Sequence, residues 1–260
     1  MSQGKLRVEQ TGAVGWMLFD NPERRNAING DMWRAIPEAM RRFDADAEIR
    51  CVVLRGVGEL AFAAGADISE FEKRRASEKG TREYEGVVDA AQESIEASIK
   101  PVVALVHGFC IGGGVEIALA CDLRYASEAS TFAVPAARLG IGYGVHGMNR
   151  LVKTVGHASA REIMLTGRRF NSAEALAMGL VNRVLPSTEV DAYVAKLTQE
   201  LAANAPLSMA ASKAVINIVI EAHGDYGAGD AAIARCMNSE DYIEGRRAFM
   251  DKRIANFKGK

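Results

Sequence analysis

The chain has 260 residues, with 32 basic against 33 acidic side chains and a formal net charge of −1. That balance gives no general attraction to phosphate backbones or anionic lipid, so neither nucleic acid nor a membrane is expected as a partner. Glycine is in excess, with 25 residues where a usual share of about 7% predicts roughly 18.

Cys51, Cys110, Cys121 and Cys236 include no C-x-x-C pair and no disulfide-like spacing, so a reducing, cytoplasmic location is expected. Residues 1–11 lack the apolar core of a secretory signal. The longest uncharged stretch, 101–115, is too short and glycine-rich to cross a bilayer as a helix.

Residues 6–8 and 14–19 read as two strands around Thr11-Gly12, and 51–54 as a buried third. Trp33, Ile36, Met40 and Phe43 recur at helical spacing, with Pro37 expected to interrupt that helix or mark its first turn. Ten of the sixteen residues in 70–85 are charged, which predicts a solvated, mobile segment, either a lid over the site or freely varying surface. Val88, Ala91, Ile95 and Ile99 then resume a helical stripe. Residues 101–106 read as a buried strand, 116–120 as a short helix after three glycines, and 123–126 as another strand. The rhythm is strand, strand, helix, repeated. Asn171 or Ser172 caps a helix ended by Gly179, 181–185 is a last strand, and everything beyond Pro186 reads as helical, with enough apolar surface to pack against something larger than itself.

Two segments offer chemistry together. One runs Ala61-Phe62-Ala63-Ala64-Gly65-Ala66-Asp67-Ile68, and the other carries Gly112-Gly113-Gly114 into Val115 and Glu116 and on to Cys121-Asp122. Glycines that open a helix let a ligand oxygen approach unpaired amides, where the helix dipole favours negative charge. A second amide from a small-residue loop would complete an oxyanion hole, and Glu116 would set a carboxylate beside the trapped group. Either segment alone is better explained by close strand–helix packing and an acid complementing a helix N-terminus.

Together they resemble the crotonase, or enoyl-CoA hydratase/isomerase, superfamily. Asn21-Pro22 with Asn26-Ala27-Ile28, the 62–68 segment, Lys100-Pro101-Val102 with His107-Gly108, and the run 112–122 follow one another in that family's order. Leu165-Thr166-Gly167, residues 175–181, Lys252-Arg253 and Asn256-Phe257 also look like family features. The resemblance implies an α/β fold, a crotonase-like spiral of repeated strand–strand–helix turns in residues 1–195, followed by a C-terminal helical trimerisation region in 196–260. It implies an acyl-CoA thioester substrate, no cofactor beyond the coenzyme A moiety, no metal, and a homotrimer or hexamer. By the same resemblance Ala66 and Gly113 hold the thioester carbonyl, Ala64, Asp67 and Ile68 lie along the coenzyme A, and Glu116 is the first of two hydratase acids.

The second acid is missing. The family hydratases carry it directly after the proline of the segment 132–140, where this chain has Ala136. Syn hydration uses one carboxylate to accept and one to deliver a proton, so reduced efficiency in simple hydration is expected. Tyr143, three residues after Leu139-Gly140, makes this segment similar to methylmalonyl-CoA decarboxylase, and Tyr143 or His146 would then orient a carboxylate or reprotonate carbon. Tyr143 as a plain aromatic lining of the acyl pocket is the simpler reading. Gly142 to Gly147 is formally G-x-G-x-x-G, but Pro135 and Arg138 spoil a preceding buried strand, which counts against a dinucleotide-dependent oxidoreductase. The basic tail, 245–260, either approaches coenzyme A phosphates or neutralises helix ends. Hydratase- or isomerase-like chemistry is therefore the leading expectation, with a malonyl-type decarboxylase and a non-catalytic acyl-CoA binder as rivals.

Overall fold

The computed structural model describes residues 4–67, 78–220 and 226–260. Six strands, β1 (Lys5–Thr11), β2 (Val14–Asp20), β3 (Cys51–Gly56), β5 (Val102–Val106), β7 (Leu123–Ser127) and β10 (Arg183–Leu185), form one sheet in the order β1-β2-β3-β5-β7-β10. It is parallel from β2 onward, with β1 added as an antiparallel edge. β3 and β5 read as continuous apolar runs because both faces are covered.

A second sheet orders β4 (Ala61–Ala63), β6 (Phe109–Ile111), β8 (Thr131–Ala133) and β9 (Phe170–Asn171). Each turn of the spiral sends one strand to the first sheet, the next to the second, and then a helix. Thus β3, β4 and α2 (Glu78–Glu96) are followed by β5, β6 and α3 (Gly113–Ala120), then by β7, β8 and α4 (Ala136–Leu139). Strands β4, β6 and β8 run parallel and adjacent, so the loops leaving them stack along one side of the molecule. This is the spiral expected from the sequence, although its second sheet was not foreseen: strands of two or three residues carry too little alternation to register.

Helix α1 spans Gly30–Ala45 and passes through Pro37 without ending, contrary to expectation. Asn29 caps it, accepting from the amides of Asp31 and Met32. Met32, Trp33, Ile36, Met40 and Phe43 are buried on one stripe, and that packing outweighs the hydrogen bond lost at proline. The charged stretch also differs from expectation over its second half, since residues 78–85 already belong to α2. Residues 68–77 lie outside the described residues.

Beyond Pro186 the chain forms α7 (Val190–Ala203), α8 (Pro206–Ile220), α9 (Tyr226–Met237) and α10 (Glu240–Met250), preceded by α5 (Val145–Thr166) and α6 (Ser172–Ala177). The boundary expected between 195 and 196 falls inside α7. That helix lies on the first sheet, with Val190 and Val194 packed in one cluster with Val53, Val103 and Leu105. Asp191 pins its start, taking Arg55 NH1 at 2.6 Å and facing His107 Nε2 at 2.5 Å. The last ten residues are not helical; they fold back so that Lys258 and Gly259 amides donate to the Asp241 carboxylate. No single helix among the described residues is long and apolar enough to cross a membrane.

Candidate active site

The loops leaving β4 and β6 meet at the N-terminus of α3. In the first loop, Gly65 takes φ +100°, a conformation that favours glycine. Ile28 bridges Ala66: the Ile28 amide donates to the Gly65 carbonyl at 2.8 Å, and the Asp67 amide donates to the Ile28 carbonyl at 3.0 Å. Ala64 donates to the Arg25 carbonyl at 3.0 Å. These bonds engage the amides of Ala64 and Asp67, and none of them uses the N–H of Ala66.

In the second loop the Gly112 amide donates to the Ala133 carbonyl at 2.8 Å. Gly113 is the first residue of α3 and so has no carbonyl one turn behind it in the helix. A Cβ placed on Gly113 would lie 3.5 Å from the Ala66 nitrogen, so the two unspent amides are neighbours. At Gly114 a Cβ would come within 2.3 Å of the Ala63 carbonyl oxygen, and only glycine lets α3 begin this close to β4. The motif at 21–28 buttresses the first loop. Asn26 donates to the carbonyls of Val57 and Ala61 at 3.1 and 2.7 Å while its Oδ1 accepts from the Asn21 amide.

Glu116 stands one turn into α3, with its carboxyl in a cavity of about 180 Å³ bounded by the two loops, α1, α2 and the 134–147 segment. The residue keeps some surface open to the cavity, yet the carboxyl itself is deeply enclosed. Burial pushes its pKa above the usual carboxylate range; Tyr143, Arg150 and Gln92 pull the other way, and the Asp89 charge adds to the rise. Gln92 Nε2 donates to Glu116 Oε2 at 3.3 Å. Arg150 NH1 donates to Gln92 Oε1 at 2.6 Å, which fixes the amide so that its NH₂ end faces the acid. Glu96 in turn clamps Arg150 through two bonds of 2.6 and 2.7 Å. A chain of buried polar contacts thus runs from Glu96 to Glu116 and sets the direction of its carboxyl.

Tyr143 brings its ring against Gly147 and its hydroxyl toward Glu116. Burial, reinforced by the Glu116 charge, raises the phenol well above its ordinary pKa. The hydroxyl has no partner in hydrogen-bonding geometry among the described residues, so its proximity to Glu116 is felt electrostatically. The indole N–H of Trp33, another residue of the cavity wall, is also buried and unpaired. Two donors are therefore left for whatever fills the space.

The profile of the family described as Enoyl-CoA hydratase/isomerase matches residues 9–260. The chain belongs to the enoyl-CoA hydratase/isomerase family. The short-chain-enoyl-CoA hydratase of Clostridium acetobutylicum is 33% identical, with 100% of both chains covered. Carnitinyl-CoA dehydratase of Proteus mirabilis is 34% identical over 100% of both. Among solved structures, an enoyl-CoA hydratase/carnithine racemase from Magnetospirillum magneticum superposes with a TM-score of 0.95 at 35% identity, covering 100% of this chain and 97% of that one. This is an acyl-CoA enzyme of enoyl-CoA hydratase/isomerase type.

Of the family positions expected from the sequence, Ala64, Ala66, Gly113, Glu116, Ala136 and Tyr143 line one cavity. Asp67 lies beside it, its carboxylate held by Arg24 NH1 at 2.6 and 2.7 Å. Ile68 lies outside the described residues. His146 is separated from Tyr143: it lines a different groove, of about 980 Å³, between α5 and the C-terminal helices. The glycine pattern at 142–147 follows a short helix and a coil and not a buried strand, which removes the dinucleotide reading. Asp122, last residue of the motif, is structural, accepting from the Val102 amide at 2.7 Å and Lys213 Nζ at 2.9 Å. The tail is tied to its own helix, Arg253 forking onto Glu244 at 2.7 and 2.9 Å.

Sequence reasoning missed Trp33, Asp89, Gln92 and Arg150 as parts of this site. A signal existed in α2: Glu85, Asp89, Gln92 and Glu96 recur at spacings of four, three and four, which puts a polar stripe on one helix face. Reading the segment only as charged surface concealed it.

Proposed function

We propose that this enzyme stabilises the enolate of an acyl-CoA thioester and moves protons at the acyl carbons, hydrating or isomerising an enoyl-CoA. The observation that carries this reading is the pair of unspent, adjacent amides of Ala66 and Gly113 in the same cavity as the enclosed Glu116 carboxyl. In this reading the two amides and the positive end of α3 receive the thioester oxygen as it gains charge. Glu116, held by Gln92, carries the proton to or from carbon, its carboxyl raised above the usual carboxylate range by burial. Tyr143 borders the acyl group and lends its free hydroxyl to the reacting centre. Ala64 and Asp67 lie along the coenzyme A moiety, and proton transfer on a thioester enolate needs no further cofactor.

A malonyl-type substrate fits less well. It would carry a carboxylate into a cavity whose described lining holds Glu85, Asp89 and Glu116 and no basic side chain. A non-catalytic binder has no use for a carboxyl enclosed at such desolvation cost. Assembly as a homotrimer or hexamer in the cytoplasm accompanies this reading, supported by exposed Ile216, Val219, Ile243 and Phe249 on the C-terminal helices and by four free cysteines.

The test is a thioester panel. Purified protein mixed with crotonyl-CoA or a 3-enoyl-CoA should change the conjugated-thioester absorbance, and methylmalonyl-CoA should release no carbon dioxide. Carbon dioxide release with inert enoyl-CoAs would overturn the assignment in favour of decarboxylation.

A further inference from the structure

Ala136 leaves the cavity without the acid that the sequence resemblance leads one to expect there, and α2 brings another carboxylate into the same lining. Asp89 lies on α2 four residues after Glu85 and three before Gln92, on the face that closes over Glu116. It is half-buried and lines the same cavity as Glu116, Ala136 and Tyr143. Among the described residues its carboxylate has no hydrogen bond and no ion pair, whereas Glu85 sits at the exposed rim. Gln92, one turn further on, donates to Glu116 at 3.3 Å, so the helix face carrying Asp89 is held against the site by a direct hydrogen bond. The Asp89 charge is felt at Glu116, whose proton it helps to retain.

We propose that Asp89 is the second carboxylate of this enzyme, a catalytic residue that grips the attacking water from α2 in place of an acid at position 136. The proposal rests on the enolate chemistry proposed above. Water oxygen forms a bond to C3 of the enoyl thioester while one of its protons passes to Asp89. The C2–C3 π pair shifts to make the enolate, whose oxygen lies against the Ala66 and Gly113 amides. The enolate collapses as Glu116 delivers its proton to C2. Product carries the added H and OH, and transfer of the proton from Asp89 to Glu116 across the emptied cavity restores both groups. No oxidant, metal or co-reactant takes part.

The groups facing Glu116 are Asp89 and Gln92 from α2, Tyr143 from the segment before α5, and Arg150 from α5. Asp89→Asn removes a base at almost constant volume, from a half-buried position whose side chain bonds to nothing else in the described protein. It should lower kcat for crotonyl-CoA hydration by about 10²-fold or more with KM within about threefold, and should shift the limb of the kcat–pH profile that belongs to Glu116 downward. Adding Ala136→Glu to Asp89→Asn, which returns an acid to the expected wall, should recover at least about tenfold of the loss. Hydration by Asp89→Asn within threefold of wild type, with an unshifted profile, overturns the proposal and leaves the enolate reading intact. Wild-type protein that exchanges C2 protons of butyryl-CoA with solvent but does not hydrate crotonyl-CoA overturns it as well. Wild-type protein that does neither overturns the enolate reading and this proposal together.

Discussion

Glu116→Gln should lower kcat on any enoyl-CoA substrate by about 10²–10⁴-fold while leaving thioester affinity nearly unchanged, as read from steady-state rates and equilibrium binding. Glutamine keeps the volume and can still meet Gln92, but it cannot carry the proton. Because the cavity is small and the carboxyl enclosed, solvent offers little substitute. Wild-type rates in this variant would remove Glu116 from the mechanism. The same substitution has a stability signature with a defined sign. The folded-state pKa of Glu116 lies above its unfolded value, so folding favours the protonated form, and the ionised carboxyl destabilises the native state at higher pH. The penalty fades as pH falls from the raised folded value toward the ordinary carboxylate range. Glu116→Gln should therefore melt at a higher temperature than wild type near pH 8, with the difference shrinking toward pH 4–5. A gain independent of pH would show that ionisation is not its source.

Gly113→Pro should cost about 10²–10³-fold in kcat relative to Gly113→Ala. Proline is tolerated at the first residue of a helix because that N–H has no intrahelical partner, so the substitution deletes the donor with little cost to α3. Alanine supplies the needed control. A Cβ at this position meets Trp33 at 3.1 Å in either variant, so that contact is common to both, and the ratio reports the loss of the donor together with the proline Cδ that takes its place. Equal rates for the two variants would mean that the Gly113 amide does not face the developing charge.

The parts of the fold legible in the sequence were those with one dominant physical signal. Residues 51–54 and 101–106 announce themselves as strands because parallel strands buried on both faces are continuously apolar. The short strands at 61–63, 109–111 and 131–133 form the sheet that positions both loops of the site, yet three residues cannot display a period. Pro37 misled for a related reason: local preference argued for a break, and the burial of Trp33, Ile36 and Met40 overrode it. At the site, Gly113 and Glu116 stood out because they open a helix and Ala66 because it lies in a short small-residue segment, and the three line one cavity. The Arg150–Gln92–Glu116 chain was not, since Gln92 and Arg150 are 58 residues apart and meet only when α5 crosses α2. Part of the glycine excess is placed by this geometry: Gly114 admits the close approach of β4, and Gly147 makes room for Tyr143 and Glu116.

In the proposed chemistry the cavity stabilises a thioester enolate and Glu116 moves its proton. Solvent exchange at C2 of butyryl-CoA, followed by mass spectrometry in deuterium oxide, tests this without requiring hydration or isomerisation to go forward. Wild-type protein should incorporate deuterium at C2, and Glu116→Gln should slow incorporation by about 10²-fold or more. Absence of incorporation by wild-type protein that binds butyryl-CoA, or equal incorporation by the two proteins, would contradict the assignment.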